Sequence, residues 1–285
     1  MLYLNLTDEM KKSVYLLFCA AVLAALIGCT GMSEQEKAAA LLQQSRTLYA
    51  EGKSNSARLL LDSINATYPK QVETRRQAKA LEDTIRYDEA SRTVAYADSL
   101  LVTLMPQADE LLKKFRYEKN EQYEDAGRYV HRLLTTGSNT SRCFLQACVT
   151  DTHISVVKSY YFGQASLDQT AVELSSGGET TRMEGHSHVF EAEGWHSLMT
   201  FEQDKALGLL NFISSHCNDR IKVTIYGMNR NGAERSTAYF LTDTEKQALQ
   251  DTYQLGLIMN DIRQLEDMQK KGRAVTEKFE KKYML

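Results

Sequence analysis

Proline and tryptophan are almost missing from this chain, with 2 and 1 copies in 285 residues. Only Pro69 and Pro106 lack the amide that a helix needs, so long helices face few breaks. A surplus of one charge is missing too. The net charge is -3, with both signs interspersed, and leaves counterion release on nucleic acid without a source. Paired Cys-x-x-Cys, glycine-rich phosphate loops, Gly-x-Ser-x-Gly and His-Glu-x-x-His are all absent, so the best-known redox, nucleotide, hydrolase and zinc-protease signatures are not available. What is present is 43% hydrophobic and 25% charged residues, a composition that folds.

The first 28 residues have the three-part anatomy of a signal peptide. Met10 is the expected start, followed by Lys11 and Lys12, an apolar run from Val14 to Ile27, and Leu26-Ile27-Gly28-Cys29. The run is shorter than the roughly 20 residues that span a bilayer. The last four residues resemble the bacterial lipobox, whose cysteine is acylated and becomes the first residue of the mature protein. That resemblance implies a thioether diacylglycerol and a palmitate-type amide chain on Cys29. Multiple chains at about 0.8 kcal/mol per methylene anchor a protein durably. Residues 29–36 would then form a polar tether. Thr30, not aspartate, follows Cys29, and since inner-membrane retention in some Gram-negative bacteria resembles an Asp-after-Cys rule, the outer membrane is favoured. Glu34 and Glu36 resemble surface-export signals too sparsely to assign a leaflet.

Residues 37–134 read as helical. With Pro69 as a closing proline, Leu41, Ser45, Leu48, Gly52, Ala57, Leu61 and Ile64 resemble one degenerate tetratricopeptide unit. The family's first-helix aromatic and glycine are missing, no second copy follows, and an ordinary αα-hairpin fits equally. Ala78, Leu81 and Ile85, then Leu100 to Phe115, predict two further helices or one long bent, coiled-coil-like helix, with a kink or new first turn at Pro106. Phe115, Tyr117, Tyr123 and Tyr129 lie among charges and suit either a helix-to-sheet junction or an interface. This stretch resembles Gram-negative envelope lipoproteins that have no assigned activity.

After Gly137-Ser138-Asn139 the texture becomes β-branched and aromatic, which predicts an antiparallel β domain over 142–242. Cys143–Thr150 and His153–Phe162 form a hairpin across Asp151-Thr152. Thr170–Leu174, Ser187–Ala192 and Ser197–Phe201 continue a meander, Ala206–Ile213 is a short inserted helix, and Ile221–Tyr226 pairs with Thr237–Leu241 across Asn229 to Gly232. The final segment, 243–282, predicts a long helix. Its stripe, Leu249, Tyr253, Leu255, Ile258, Ile262, Leu265 and Met268, is expected to pack back on the first-half helices and bring the termini together, and its end from Gln269 to Lys282 is basic. The fold class is α+β: a helical arm, an antiparallel β domain with a short helix, and a long C-terminal helix.

Candidate chemistry is thin. On one strand Glu184, His186 and His188 would share a face and offer zinc two imidazoles and a carboxylate, with Glu191, Glu193 and His196 nearby. Solvated strands carry such histidines equally well, and neither a catalytic residue nor a cofactor or metal is expected. Cys143, Cys148 and Cys217 permit one disulfide in an exported protein. Cys143 and Cys148 should point to opposite faces of one strand, so a bridge should involve Cys217. Cys217 beside His216 suits a buried small residue better than a dyad. Tyr160-Tyr161-Phe162 with Trp195 suits core packing, or a stacking surface formed by Trp195 and Tyr161 for a glycan. The expected role is a membrane-anchored, non-enzymatic adaptor for an envelope protein, with no nucleic-acid partner. The alternatives are a glycan- or peptide-binding β domain and a metal-dependent hydrolase.

Overall fold

The computed structural model describes residues 31–122, 125–134 and 141–284. The signal segment with Met10, the Leu26-Ile27-Gly28-Cys29 motif, Thr30, Tyr123 and the Gly137-Ser138-Asn139 break lie outside the described residues. The chain divides into two compact units, residues 1–92 with 272–285, and residues 93–271. The architecture is α+β, with helices first, two antiparallel sheets, and a long closing helix.

In the first unit, α1 (Glu34–Ala50) starts on a capping box: the Ser33 hydroxyl accepts from the Glu36 amide, and the Glu36 carboxylate accepts from the Ser33 amide. The helix ends where Gly52 takes a φ of +77°. There the Lys53 amide donates to the Leu48 carbonyl and the Gly52 amide to Tyr49, a Schellman motif that consumes two orphan carbonyls. α2 (Ser54–Thr67) folds back on α1, and the first turns of α3 (Val72–Leu112) complete the unit's core. Leu42, Ala57, Leu61, Ile64, Ala78 and Ile85 are buried together. Leu61 and Ile64 recur three apart, as helix periodicity requires. Tyr87 of α3 stacks at 4.6 Å on Phe279 of α5 (Asp243–Tyr283).

The two-helix alternative for 71–115 gives way to one helix of 41 residues, unbroken through Pro106. Pro106 is exposed, so the Val102 carbonyl that loses its donor there can be met by water.

The second unit carries two sheets. One has the order β1-β2-β3-β4-β8-β7, formed by β1 (Phe115–Glu118), β2 (Arg128–His131), β3 (Phe144–Thr150), β4 (Ser155–Gly163), β7 (Ser187–Glu191) and β8 (Trp195–Glu202). The other has the order β10-β9-β5-β6, formed by β5 (Asp168–Ser176), β6 (Glu179–Glu184), β9 (Lys222–Met228) and β10 (Glu234–Phe240). The expected single meander is therefore corrected to two sheets, because the chain leaves the first after β4 and re-enters it at β7. The helical region expected to reach 134 is corrected as well. β1 and β2 pair with each other from Phe115↔His131 to Glu118↔Arg128, and β2 pairs with β3.

β6 is a strand that the sequence pattern does not predict. It pairs with β5 across Gly177 and Gly178, whose φ values of +57° and +90° suit the tight turn that follows right-handed strand twist. The predicted hairpins β3–β4 and β9–β10 are present.

Between the sheets lies the main core. Leu145, Val157, Met199 and Phe201 from the first sheet meet Val172, Leu174 and Val223 from the second, with Leu209, Leu210 and Ile213 of α4 (Gln203–Ser215) closing the layer. Leu249 of α5 joins them. Further along α5, Ile258, Ile262 and Leu265 pack on Ala97, Leu101 and Ala108 of α3. Of the predicted stripe, Ile258, Ile262 and Leu265 thus pack on a first-half helix, whereas Leu249 and Tyr253 join the sheet core, Leu255 packs with Phe115 and Val149, and Met268 is 37% exposed.

Candidate functional site

The histidine-rich segment does not form one face. Glu184 ends β6 in the four-stranded sheet, His186 lies in the connection, and His188 belongs to β7 in the six-stranded sheet. All three side chains are exposed. Gly185 makes the crossing: its amide donates to the Thr170 carbonyl, and a Cβ there would meet Met199 Sδ at 3.0 Å. The single-strand alternation on which a shared face depended is therefore corrected. Among the described residues no cluster of three His, Cys, Asp or Glu side chains is arranged to hold a metal ion.

Trp195 and Tyr161 do not form an open stacking surface either. Tyr161 is 8% exposed and donates its hydroxyl to the Ala165 carbonyl at 2.6 Å, packed with Leu167 and Ile225. Trp195 lies against this cluster, and the Arg230 guanidinium covers its ring at 4.0 Å. Strand alternation turns Tyr161 inward and sends its two neighbours to the other side.

Cys143, Cys148 and Cys217 are not joined by a disulfide. The first two belong to different apolar clusters, and Gln250 Nε2 approaches Cys217 Sγ at 3.8 Å, so the bridge through Cys217 is not formed. Burial raises the Cys143 thiol above its ordinary pKa, which disfavours the thiolate. His216 stacks on Phe212 at 4.3 Å, hydrogen-bonds the Phe212 carbonyl, and faces Glu179 at 3.4 Å.

What the geometry gathers instead is an aromatic face on the six-stranded sheet. Register places Phe144 opposite Tyr160, and Phe162 opposite His196, which itself pairs with Phe190. His196 is the hub. Its Nε2 lies 2.7 Å from the Ala192 carbonyl, an acceptor only, so this nitrogen carries the proton and Nδ1 accepts from the Tyr160 hydroxyl at 2.8 Å. Phe190 stacks on the imidazole at 4.9 Å with planes 6° apart, yet stays 41% exposed. An aromatic ring half covered by an immobilised neighbour offers contact area at little entropic cost. The sequence signal for this face was the β4 triplet together with Phe190, provided both strands were placed in one sheet.

A second polar arrangement had no sequence signal. His131 at the end of β2 and Asp251 on α5 are 3% and 4% exposed, with His131 Nε2 3.1 Å from Asp251 Oδ2. The Leu133 amide donates to His131 Nδ1, which fixes the proton on Nε2 and makes that nitrogen the donor to Asp251. Lys114 Nζ at 2.8 Å and Gln247 at 3.3 Å donate to the other carboxylate oxygen. Burial lowers the His131 pKa below the free imidazole value, against the opposing pull of Asp251. No cavity opens onto this group among those described, and it pins β2 to α5. Phe115 packs edge-on against the same imidazole at 5.0 Å, which places the first of the predicted junction aromatics at this joint.

A polar cavity of about 200 Å³ lies between the β3–β4 turn and α5, lined in part by His153, Gln203, Asp204, Asn260 and Arg263. His153 and Gln203 have positive φ values, 63° and 50°. His153 occupies a hairpin turn, where its amide donates to the Thr150 carbonyl.

No family model, no curated protein and no solved structure matches the chain. Nothing in the described arrangement positively indicates enzymatic activity. No helix among the described residues is long and apolar enough to cross a membrane.

Proposed function

We propose that this chain is a cell-envelope lipoprotein, anchored through lipid on Cys29 in the outer rather than the inner membrane. It acts as a non-enzymatic adaptor for another envelope protein. The observation that carries the anchor is the apolar run closing on Leu26-Ile27-Gly28-Cys29. Support for the adaptor role comes from the aromatic face around His196, where Phe190 leaves a fixed ring surface exposed. Tyrosine and phenylalanine are the residue types enriched in the centres of protein interfaces.

Cross-linking in intact cells tests this reading. With the native lipoprotein as bait, one or two envelope proteins should be enriched; Cys29→Ala should abolish the enrichment by removing the anchor, and Phe190→Ala should cut it about tenfold by removing an aromatic anchor worth roughly 1–2 kcal/mol. A correctly placed, abundant lipoprotein that enriches no protein contradicts the adaptor role.

A further inference from the structure

The helical unit carries a groove that the adaptor reading leaves unused. It has a volume of about 310 Å³ and runs between the start of α3 and the end of α5. Lys79 and Arg86 line it from α3, and Lys278, Phe279, Lys282 and Tyr283 from α5. The spacing on α5 creates two strips, since residues four apart stand one above the other on a helix. Lys278 and Lys282 form a cationic strip. Phe279 and Tyr283, with ring centroids 4.7 Å apart, form an apolar one beside it.

Two carboxylates answer four cations here. Asp83 binds Lys282 and the Tyr283 hydroxyl, each at 2.8 Å, and Lys79 at 3.2 Å. Burial works to raise its pKa, but these donors hold it down to about 2, so it stays ionised. Glu82 pairs with Lys79 at 3.0 Å and with Arg86. The groove therefore keeps an excess of two positive charges, and Lys278 has no carboxylate partner among the described residues.

We infer that this groove seats the headgroup of an anionic phospholipid, with the phosphate against the lysine strip and the acylglycerol stem against Phe279 and Tyr283. Charge complementarity and the side-by-side cationic and apolar strips select an amphiphile over a simple anion. A flat nucleobase would need an open ring face, whereas Phe279 already stacks on Tyr87 and meets Tyr283 at a tilt. The inference rests on the lipoprotein reading for the membrane it meets. Ser33, the cap of α1 in this same unit, follows Cys29 by four residues, a reach of about 14 Å at full extension. Lipid on Cys29 would hold the unit at the bilayer, and the groove would orient it there.

The test uses the full native lipoprotein with phosphatidylcholine vesicles, with and without phosphatidylglycerol carrying a photoactivatable group. Photo-adducts should map to the groove, and Lys278→Glu should lower their yield at least about tenfold, since each cation near an anionic surface contributes about fivefold. Lys270→Glu, the same charge change outside the groove, should alter the yield less than twofold, and millimolar glycerol phosphate should not compete. Helical circular dichroism confirms that both variants are folded. No adduct in the groove, equal losses in the two variants, or full competition by glycerol phosphate would each overturn the inference. Flotation on phosphatidylcholine vesicles alone reports the acyl anchor separately, so failure of the anchor and failure of the groove remain distinct.

Discussion

The two units solve the same problem with different means. In the helical unit six buried side chains, none larger than leucine or isoleucine, hold two short helices on a longer one. The sheet unit gathers eighteen buried apolar side chains in its main core, including Phe201, Met199 and Phe212. Local devices matter more in the first: a capping box, a Schellman turn and the Asp83 cluster all lie on or near its surface. In the second, long-range strand register does most of the positioning, and it brings His196 among three rings contributed by two other strands. The aromatic face around His196 belongs to the sheet unit and the groove beside Asp83 to the helical one.

The comparison breaks most sharply in the cores. Phe201→Ala should destabilise the sheet unit by about 3–5 kcal/mol, and Leu61→Ala should cost the helical unit about 2–5 kcal/mol. Hydrogen exchange should place each loss in its own unit; protection lost throughout the chain from either change would show one cooperative body instead of two. Asp251→Asn should cost about 2 kcal/mol in denaturant unfolding, because the Lys114 and His131 donors then face a neutral acceptor.

The same group gives a pH dependence. Burial keeps the folded His131 pKa below 6.5, so the unfolded chain binds the proton first as pH falls. This contribution is full above about pH 6.5 and lost as pH drops through the folded value. A sheet unit equally stable at pH 7.5 and 5.5 would contradict it. Ser33→Ala should cost the helical unit about 1 kcal/mol through its capping box, read as a lower melting temperature. The smallest effect belongs to Asp83, whose lowered pKa adds stability that is present above about pH 4 and lost as pH falls towards 2. Asp83→Asn should flatten that acid limb without shifting the neutral baseline by more than about 1 kcal/mol, as expected for a carboxylate whose partner Lys282 is half exposed to screening solvent.

Much of the fold could be read from periodicity. The hairpins at Asp151-Thr152 and Asn229–Gly232, α4 and the long closing helix all follow local signals of alternation, capping or turn chemistry. The strands β1 and β2 escaped because four residues each, set among charges, give alternation too little length to register. β6 escaped because Met183 is the one apolar residue from Glu179 to Glu184, too little for an alternation to register, and its pairing depends on the Gly177-Gly178 turn. Site residues fared worse for the same physical reason. Glu184 and His188 are four apart in sequence yet lie in different sheets, while His131 and Asp251, 120 residues apart, touch. Register and long-range packing create these relations, and neither leaves a mark on neighbouring residues. His196 was among the segment's candidates as a metal neighbour, and its position as the hub of an aromatic face depends on the pairing of β4, β7 and β8.

Acylation of Cys29 is the measurement closest to the central claim. Cells grown with a labelled fatty acid should yield a membrane-bound protein that begins at Cys29 and carries the label, and Cys29→Ala should remove both label and processing. An unlabelled native protein that retains residues 10–28, or a label unaffected by Cys29→Ala, would contradict the account.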